Sequence, residues 1–159
     1  NIHSVVHPYT CILEKELINT NYTTMAISKK DYIFEEKFKV RDYECDLQGI
    51  VNNANYQHYT EHACHEFFLS RGISFANLHD KGIDLVVSKI SIEYKKSLRS
   101  GDEFVCRLYM EKEGIRYVYY QDIYRLADNA LCAKTKTETV CVVNGKPAMS
   151  CSELDELLK

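Results

Sequence analysis

No stretch of this chain approaches twenty consecutive apolar residues, so the sequence offers no transmembrane helix. Basic charge is not in excess either: 20 Lys and Arg stand against 23 Asp and Glu. No basic stripe occurs, which argues against a nucleic-acid partner. Seven cysteines are present, but the number is odd and none forms a CxxC pair. A disulfide framework or a zinc ribbon is therefore not expected, and several cysteines fall inside apolar patterns that suit reduced, small hydrophobic side chains. Such thiols point to the cytoplasm. Residues 1–24 lack the charged, apolar and cleavage regions of a signal peptide. Proline is nearly absent, with Pro8 and Pro147 outside the regular segments, and the six glycines fall where the hydrophobic period changes.

What is present reads as one ordinary globular domain: 45% of the residues are hydrophobic and 27% charged. Met25 stands just before the first well-patterned segment, so the domain proper is expected over residues 25–159, with residues 1–24 an extension outside it. Residues 33–42 read as a strand, with Phe34, Glu36, Phe38 and Val40 on one face. The period then changes. Tyr56, Tyr59, Ala63, Cys64, Phe67 and Phe68 recur by threes and fours, predicting a helix over 54–68 that begins near the cap-type Asn53 and stops at Gly72. After Gly82 everything alternates by two. Val86, Ser88, Ile90, Ile92 and Tyr94 are expected on one strand face, and Phe104, Cys106, Leu108 and Met110 on the next. Segments 117–126 and 131–143 follow, the second ending in the tight-turn pair Asn144-Gly145. One strand, one long helix and four more strands on short links predict an α+β domain whose antiparallel sheet wraps a single helix.

The most informative stretch is RDYECDLQGIVNNANYQHYTE, residues 41–61. It resembles the signature of the 4-hydroxybenzoyl-CoA thioesterase-like family of hotdog-fold proteins. The matching positions are Asp46, Gly49, Ile50-Val51, Asn52-Asn53, Ala54, Tyr56 and Glu61, and ISIEYKKSLRSGDEF is similar to the family's second strand and the turn into its third. The resemblance covers roughly residues 33 to 155. It implies a hotdog fold, with a curved sheet of about five strands around one central helix, and hydrolysis of an acyl thioester. The substrate would be an acyl-CoA or an acyl carrier protein thioester. Coenzyme A would enter only as part of the substrate, with no metal or redox cofactor. Two sites would lie at the interface of a homodimer, commonly paired into a homotetramer, with the acyl group in a tunnel between subunits.

The residues make a physical case beside the resemblance. A helix starting near Asn53 offers unpaired backbone N–H groups and a positive dipole end, which suit a developing oxyanion. Asp46 precedes that end by a short loop, and Gly49 lets the loop fold tightly. An aspartate so placed can attack the carbonyl or activate a water. The plainer reading of D-x-x-G is an Asx-type turn that only holds loop amides. Asn53 departs from the His or Tyr common there in the family; its amide can cap the helix or hydrogen-bond the acyl carbonyl. Glu61 is the rival catalytic acid, or a carboxylate tying the helix to a strand or a partner subunit. Val51, Asn52 and Tyr56 are expected to contact substrate. Lys95, Lys96, Arg99, Lys112 and Arg116 are candidates for phosphates, Arg116 foremost from its hairpin position in relatives. His58, His62 and His65 share a helix face, yet a solvated or subunit-facing surface explains them better than a metal. The alternatives to an enzyme of this type are a non-catalytic acyl-thioester binding protein and a hotdog hydratase or dehydratase.

Overall fold

A helix with one apolar arc cannot stand in water, and strands with one apolar face need a partner layer; here each covers the other. The computed structural model describes residues 31–158, so the proposed extension, residues 1–24, lies outside the described residues. Helix α1 (Asn53–Ser70) buries Tyr56, Tyr59, Thr60, Ala63, Phe67 and Phe68, the expected spacing. Its cap is Asn52 rather than Asn53: the Asn52 side chain accepts from the Ala54 N–H at 3.0 Å, and Asn53 is the first helical residue. Adjacent asparagines are indistinguishable by cap propensity, and the backbone path decides which one turns back. The helix ends where expected. Gly72, at φ +73°, lets Ile73 N–H reach back to the Phe68 carbonyl and Gly72 N–H to that of Leu69.

Five strands, β1 (Phe34–Lys39), β2 (Ile83–Tyr94), β3 (Glu103–Glu113), β4 (Arg116–Arg125) and β5 (Ala130–Val143), form an antiparallel sheet in the order β1-β3-β4-β5-β2. A two-residue β6 (Lys146–Pro147) folds back on β5 through Asn144-Gly145, both at positive φ as a type I′ turn requires. A short α2 (Phe75–Asp80) leads into β2, and α3 (Ser152–Asp155) with a 3-10 turn (Glu156–Leu158) closes the described chain. The sheet curls around α1, the hotdog arrangement. Beneath the first half of the helix, Phe38 stacks on Phe104 at 5.0 Å and Tyr59 packs on Phe104 at 4.8 Å. Beneath the second half lies a separate cluster that includes Phe67, Phe68, Leu108 and Tyr117.

Strand β2 differs from simple alternation. Its register with β5 shifts between Val87 and Lys89, so Ser88 is an inserted residue and its hydroxyl bonds the Glu138 carbonyl at 3.0 Å. Ile83, Leu85 and Val87 lie on the inner face before this bulge, and Ile90, Ile92 and Tyr94 after it; Val86 turns outward. The expected face was thus correct from Ile90 onward and reversed before Ser88, because one extra residue swaps the faces of a period-two strand. Deleting Ser88 should therefore leave thermal unfolding cooperative, since Val87 and Lys89 already face the consecutive residues Thr139 and Glu138 and both halves of β2 keep their apolar face inward. Ser88→Ala keeps the count, loses one hydrogen bond, and should cost about 1 kcal/mol. A deletion variant without a cooperative transition would contradict this assignment.

Candidate active site

The segment between β1 and α1 is held by one carboxylate. Glu44 is buried at 8% exposure and accepts hydrogen bonds from the Tyr59 hydroxyl at 2.8 Å and the Arg41 N–H at 2.7 Å. Its main-chain carbonyl accepts from the Asn52 N–H at 2.9 Å and the Asn55 side-chain amide at 2.7 Å. Both ends of Glu44 therefore grip the first turns of α1. Burial, and then the Glu44 carboxylate, push the Tyr59 hydroxyl far above the usual tyrosine range, so it stays a donor. Sequence reading missed Glu44; its only signal was an acid inside the motif stretch.

Residues 45 and 51 pair across an antiparallel bridge, which throws residues 46–50 outward as a tight loop. Asp46 N–H donates to the Ile50 carbonyl at 2.9 Å and Gly49 N–H to the Asp46 carbonyl at 3.0 Å. Gly49 sits at φ +72°, where side chains are strained, and a Cβ there would meet open space. Asp46 is half-buried, and its Oδ1 accepts from the Gln48 N–H at 2.8 Å. This is the Asx-type turn, and it occupies one carboxylate oxygen. Oδ2 has no partner among the described residues. At the helix start, the Ala54 N–H is taken by the cap, whereas the Asn53 N–H has no acceptor among the described residues. The loop thus presents a carboxylate oxygen on the approach to a helix whose first N–H is free.

The other motif residues face elsewhere. Val51 and Tyr56 are 4% exposed and pack in the core; the Tyr56 hydroxyl accepts from the Leu98 N–H at 3.3 Å. Asn52 commits its side-chain oxygen to the cap. Of the loop and helix-start positions, those left open toward a ligand are therefore Asp46, Gly49 and Asn53. The loop of residues 95–102 packs under the helix start, through Val51 N–H to the Leu98 carbonyl at 2.8 Å. Arg116 is not brought to this end of the chain. It pairs with Glu138 at 3.3 Å, nine residues along β4 from Arg125, which binds the Ser97 carbonyl of that loop. That separation is roughly 30 Å along a strand. Lys112 pairs with Asp155 and Lys95 with Glu93, each at 2.7 Å, leaving Lys96 and Arg99 on the loop beside the helix start.

Between α1 and strands β2, β4 and β5 lies a cavity of about 330 Å³. Glu61 and Gln57 line it from the helix, Leu85 and Ile90 from β2, Tyr119 from β4 and Thr137 from β5. Glu61 is exposed and has no hydrogen-bond or ion-pair partner among the described residues, so it ties α1 to no strand of its own chain. Burial, and then Glu61, push the neighbouring Cys64 thiol up to about 12, which keeps it protonated and unreactive. His62 meets the Phe38 ring at 5.6 Å and His65 the Phe75 ring at 4.7 Å. No group of three His, Cys, Asp or Glu placed to hold a metal occurs among the described residues. No described helix is long and apolar enough to cross a membrane.

Comparison with known proteins agrees with the fold. Residues 40–156 match the family model of the thioesterase-like superfamily. A putative esterase of Aquifex aeolicus is 35% identical over 121 residues, which span 76% of this chain and 94% of that protein. A chloroplastic acyl-acyl carrier protein thioesterase of Arabidopsis thaliana is 34% identical over 111 residues; the match takes in 69% of this chain but only 58% of that relative. Among solved structures, a 1,4-dihydroxy-2-naphthoyl-CoA thioesterase from Synechocystis superposes with a TM-score of 0.73 at 19% identity, covering 79% of this chain and 94% of that one. With the hotdog architecture, the D-x-x-G loop against the helix start and a family match over most of its length, the chain belongs to the thioesterase-like superfamily.

Proposed function

We propose that this chain hydrolyses acyl thioesters carried on coenzyme A or an acyl carrier protein, with Asp46 as its catalytic carboxylate. The observation that carries the reading is the pairing of a free Asp46 oxygen with the free N–H of Asn53 at the two ends of one short loop. The thioester carbonyl oxygen would accept from that N–H, where the helix dipole favours developing negative charge. Asp46 would either attack the carbonyl carbon, expelling thiolate and leaving an anhydride for water to cleave, or take a proton from the attacking water. Either route yields the free acid and the thiol. Lys96 and Arg99, on the neighbouring loop, would meet the phosphates of the carrier arm.

The functional unit would be a homodimer or a pair of dimers. Strand β2 is a twelve-residue edge with Val86 and Val87 about half exposed, and Leu47, at the tip of the Asp46 loop, is fully exposed. An apolar edge and an apolar tip beside the site are what a second copy would cover. The Asx-turn bond of Asp46 also suits a non-catalytic acyl-thioester binding protein, and turnover separates the two. On a panel of acyl-CoAs, Asp46→Asn should lower kcat by about 10²–10⁴-fold with little change in melting temperature, because the amide can keep the bond to Gln48. Glu61→Gln should stay within about fivefold of the parent; activity in the Asp46 variant with none in the Glu61 variant would exchange their roles. At micromolar concentration the protein should sediment as a dimer or tetramer, and an active, stable monomer would sink the interfacial site.

A further inference from the structure

Burying a hydroxyl with no hydrogen-bond partner is costly, so such a group in a native fold calls for a reason. Tyr119 is 2% exposed and lines the cavity under α1, yet its hydroxyl has no partner among the described residues. Its ring lies 6.1 Å from Phe68, and burial, with the thiol of Cys64 nearby, holds its proton firmly in place. It is therefore a donor without an acceptor. The wall around it is polar where a core would be apolar. Tyr119 pairs in register with Thr137, and Thr139 and Gln121 line the same cavity, while Leu85, Val87 and Ile90 face them from β2. A dry cavity of this size is normally apolar; one walled on one side by hydroxyls is suited to a ligand with its own oxygen.

The position of the hydroxyl defines where that oxygen must be. Cys64, which lines the cavity together with Tyr119, follows Asn53 by eleven residues on α1, so that level of the cavity stands about 16 Å along the helix axis from the free N–H that would hold the thioester carbonyl. An extended chain advances roughly 1.2 Å per bond, since three backbone bonds span 3.3–3.6 Å, so the gap is roughly a dozen bonds. Resting on the thioester-hydrolase reading above, we infer that the cavity under α1 takes a medium-length acyl chain bearing a hydroxyl or keto oxygen at its far end, and that Tyr119 selects it by donating to that oxygen. Leu85, Val87 and Ile90 receive the methylenes between the two polar ends. A plain alkyl chain of the same length would leave the Tyr119 hydroxyl unpaired, and discrimination by a buried donor is stronger than by a methylene pocket.

The test is a matched pair, dodecanoyl-CoA and 12-hydroxydodecanoyl-CoA, hydrolysed by the full chain and by its Tyr119→Phe variant. The parent should favour the hydroxylated thioester by about tenfold or more in kcat/KM, and the variant should bring that ratio close to one. Because the hydroxyl makes no bond within the chain, Tyr119→Phe should also melt at or above the parent temperature. A parent with no preference, a preference that survives in the variant, or a variant melting more than about 3 °C lower would each overturn the assignment. Failure to hydrolyse either thioester would instead overturn the hydrolase reading on which it rests.

Discussion

The Glu44 carboxylate lies beneath the loop that carries Asp46, and most of what surrounds the site is arranged to keep it there. A buried carboxylate is tolerated only with good partners, and this one has the Tyr59 hydroxyl and the Arg41 N–H. Tyr59 belongs to the helix and Arg41 lies two residues past the end of β1, so a single group ties the strand exit, loop and helix together. Its own carbonyl then takes Asn52 and Asn55 at the helix start. The relation between Asp46 and the Asn53 N–H is consequently not a property of a free loop. It is set by a carboxyl group that cannot leave its partners without giving up the hydrogen bonds that hold strand, loop and helix together.

The helix serves two masters, and the packing beneath it reflects this. Under its first half, stacked aromatic rings from β1, α1 and β3 make a rigid bed for the site. Under its second half a separate apolar cluster reaches to the C-terminal turn, where the Tyr117 hydroxyl donates to Asp155 at 2.7 Å. Alongside both, on the β2 side, Gln121 reaches the Thr60 carbonyl at 2.7 Å. Polar groups there keep the sheet from closing fully on the helix, and the cavity follows from that incomplete closure.

Strand β2 completes the picture as the boundary between this chain and whatever adjoins it. The bulge at Ser88 keeps apolar side chains on the inner face at both ends of a long edge strand, and it leaves Val86 facing out. A bulge at an edge usually discourages pairing, but here the strand remains long and partly apolar on its outer face. That combination suits a specific partner more than open solvent.

How much of this was legible beforehand follows from the range of each interaction. Period-two and period-3.6 patterns are local, so the helix, the strands and the Asn144-Gly145 turn were readable, and the D-x-x-G stretch marked a tight turn because its turn chemistry lies within five residues. What joins distant parts of the chain was not. Glu44 meets Tyr59 only once the loop lies on the helix, and the distance of Arg116 from the Asp46 loop of its own chain is fixed only by the sheet. The inserted Ser88 is invisible without its partner strand, because a bulge is a mismatch between two strands. Composition and alternation by themselves determined that a sheet must cover a helix, while Asp46 was singled out by the D-x-x-G stretch and the resemblance it carries. Only the tertiary structure decided which asparagine caps that helix, which N–H is left free, and that the Tyr119 hydroxyl is buried without a partner, since each is a question of which groups meet after folding.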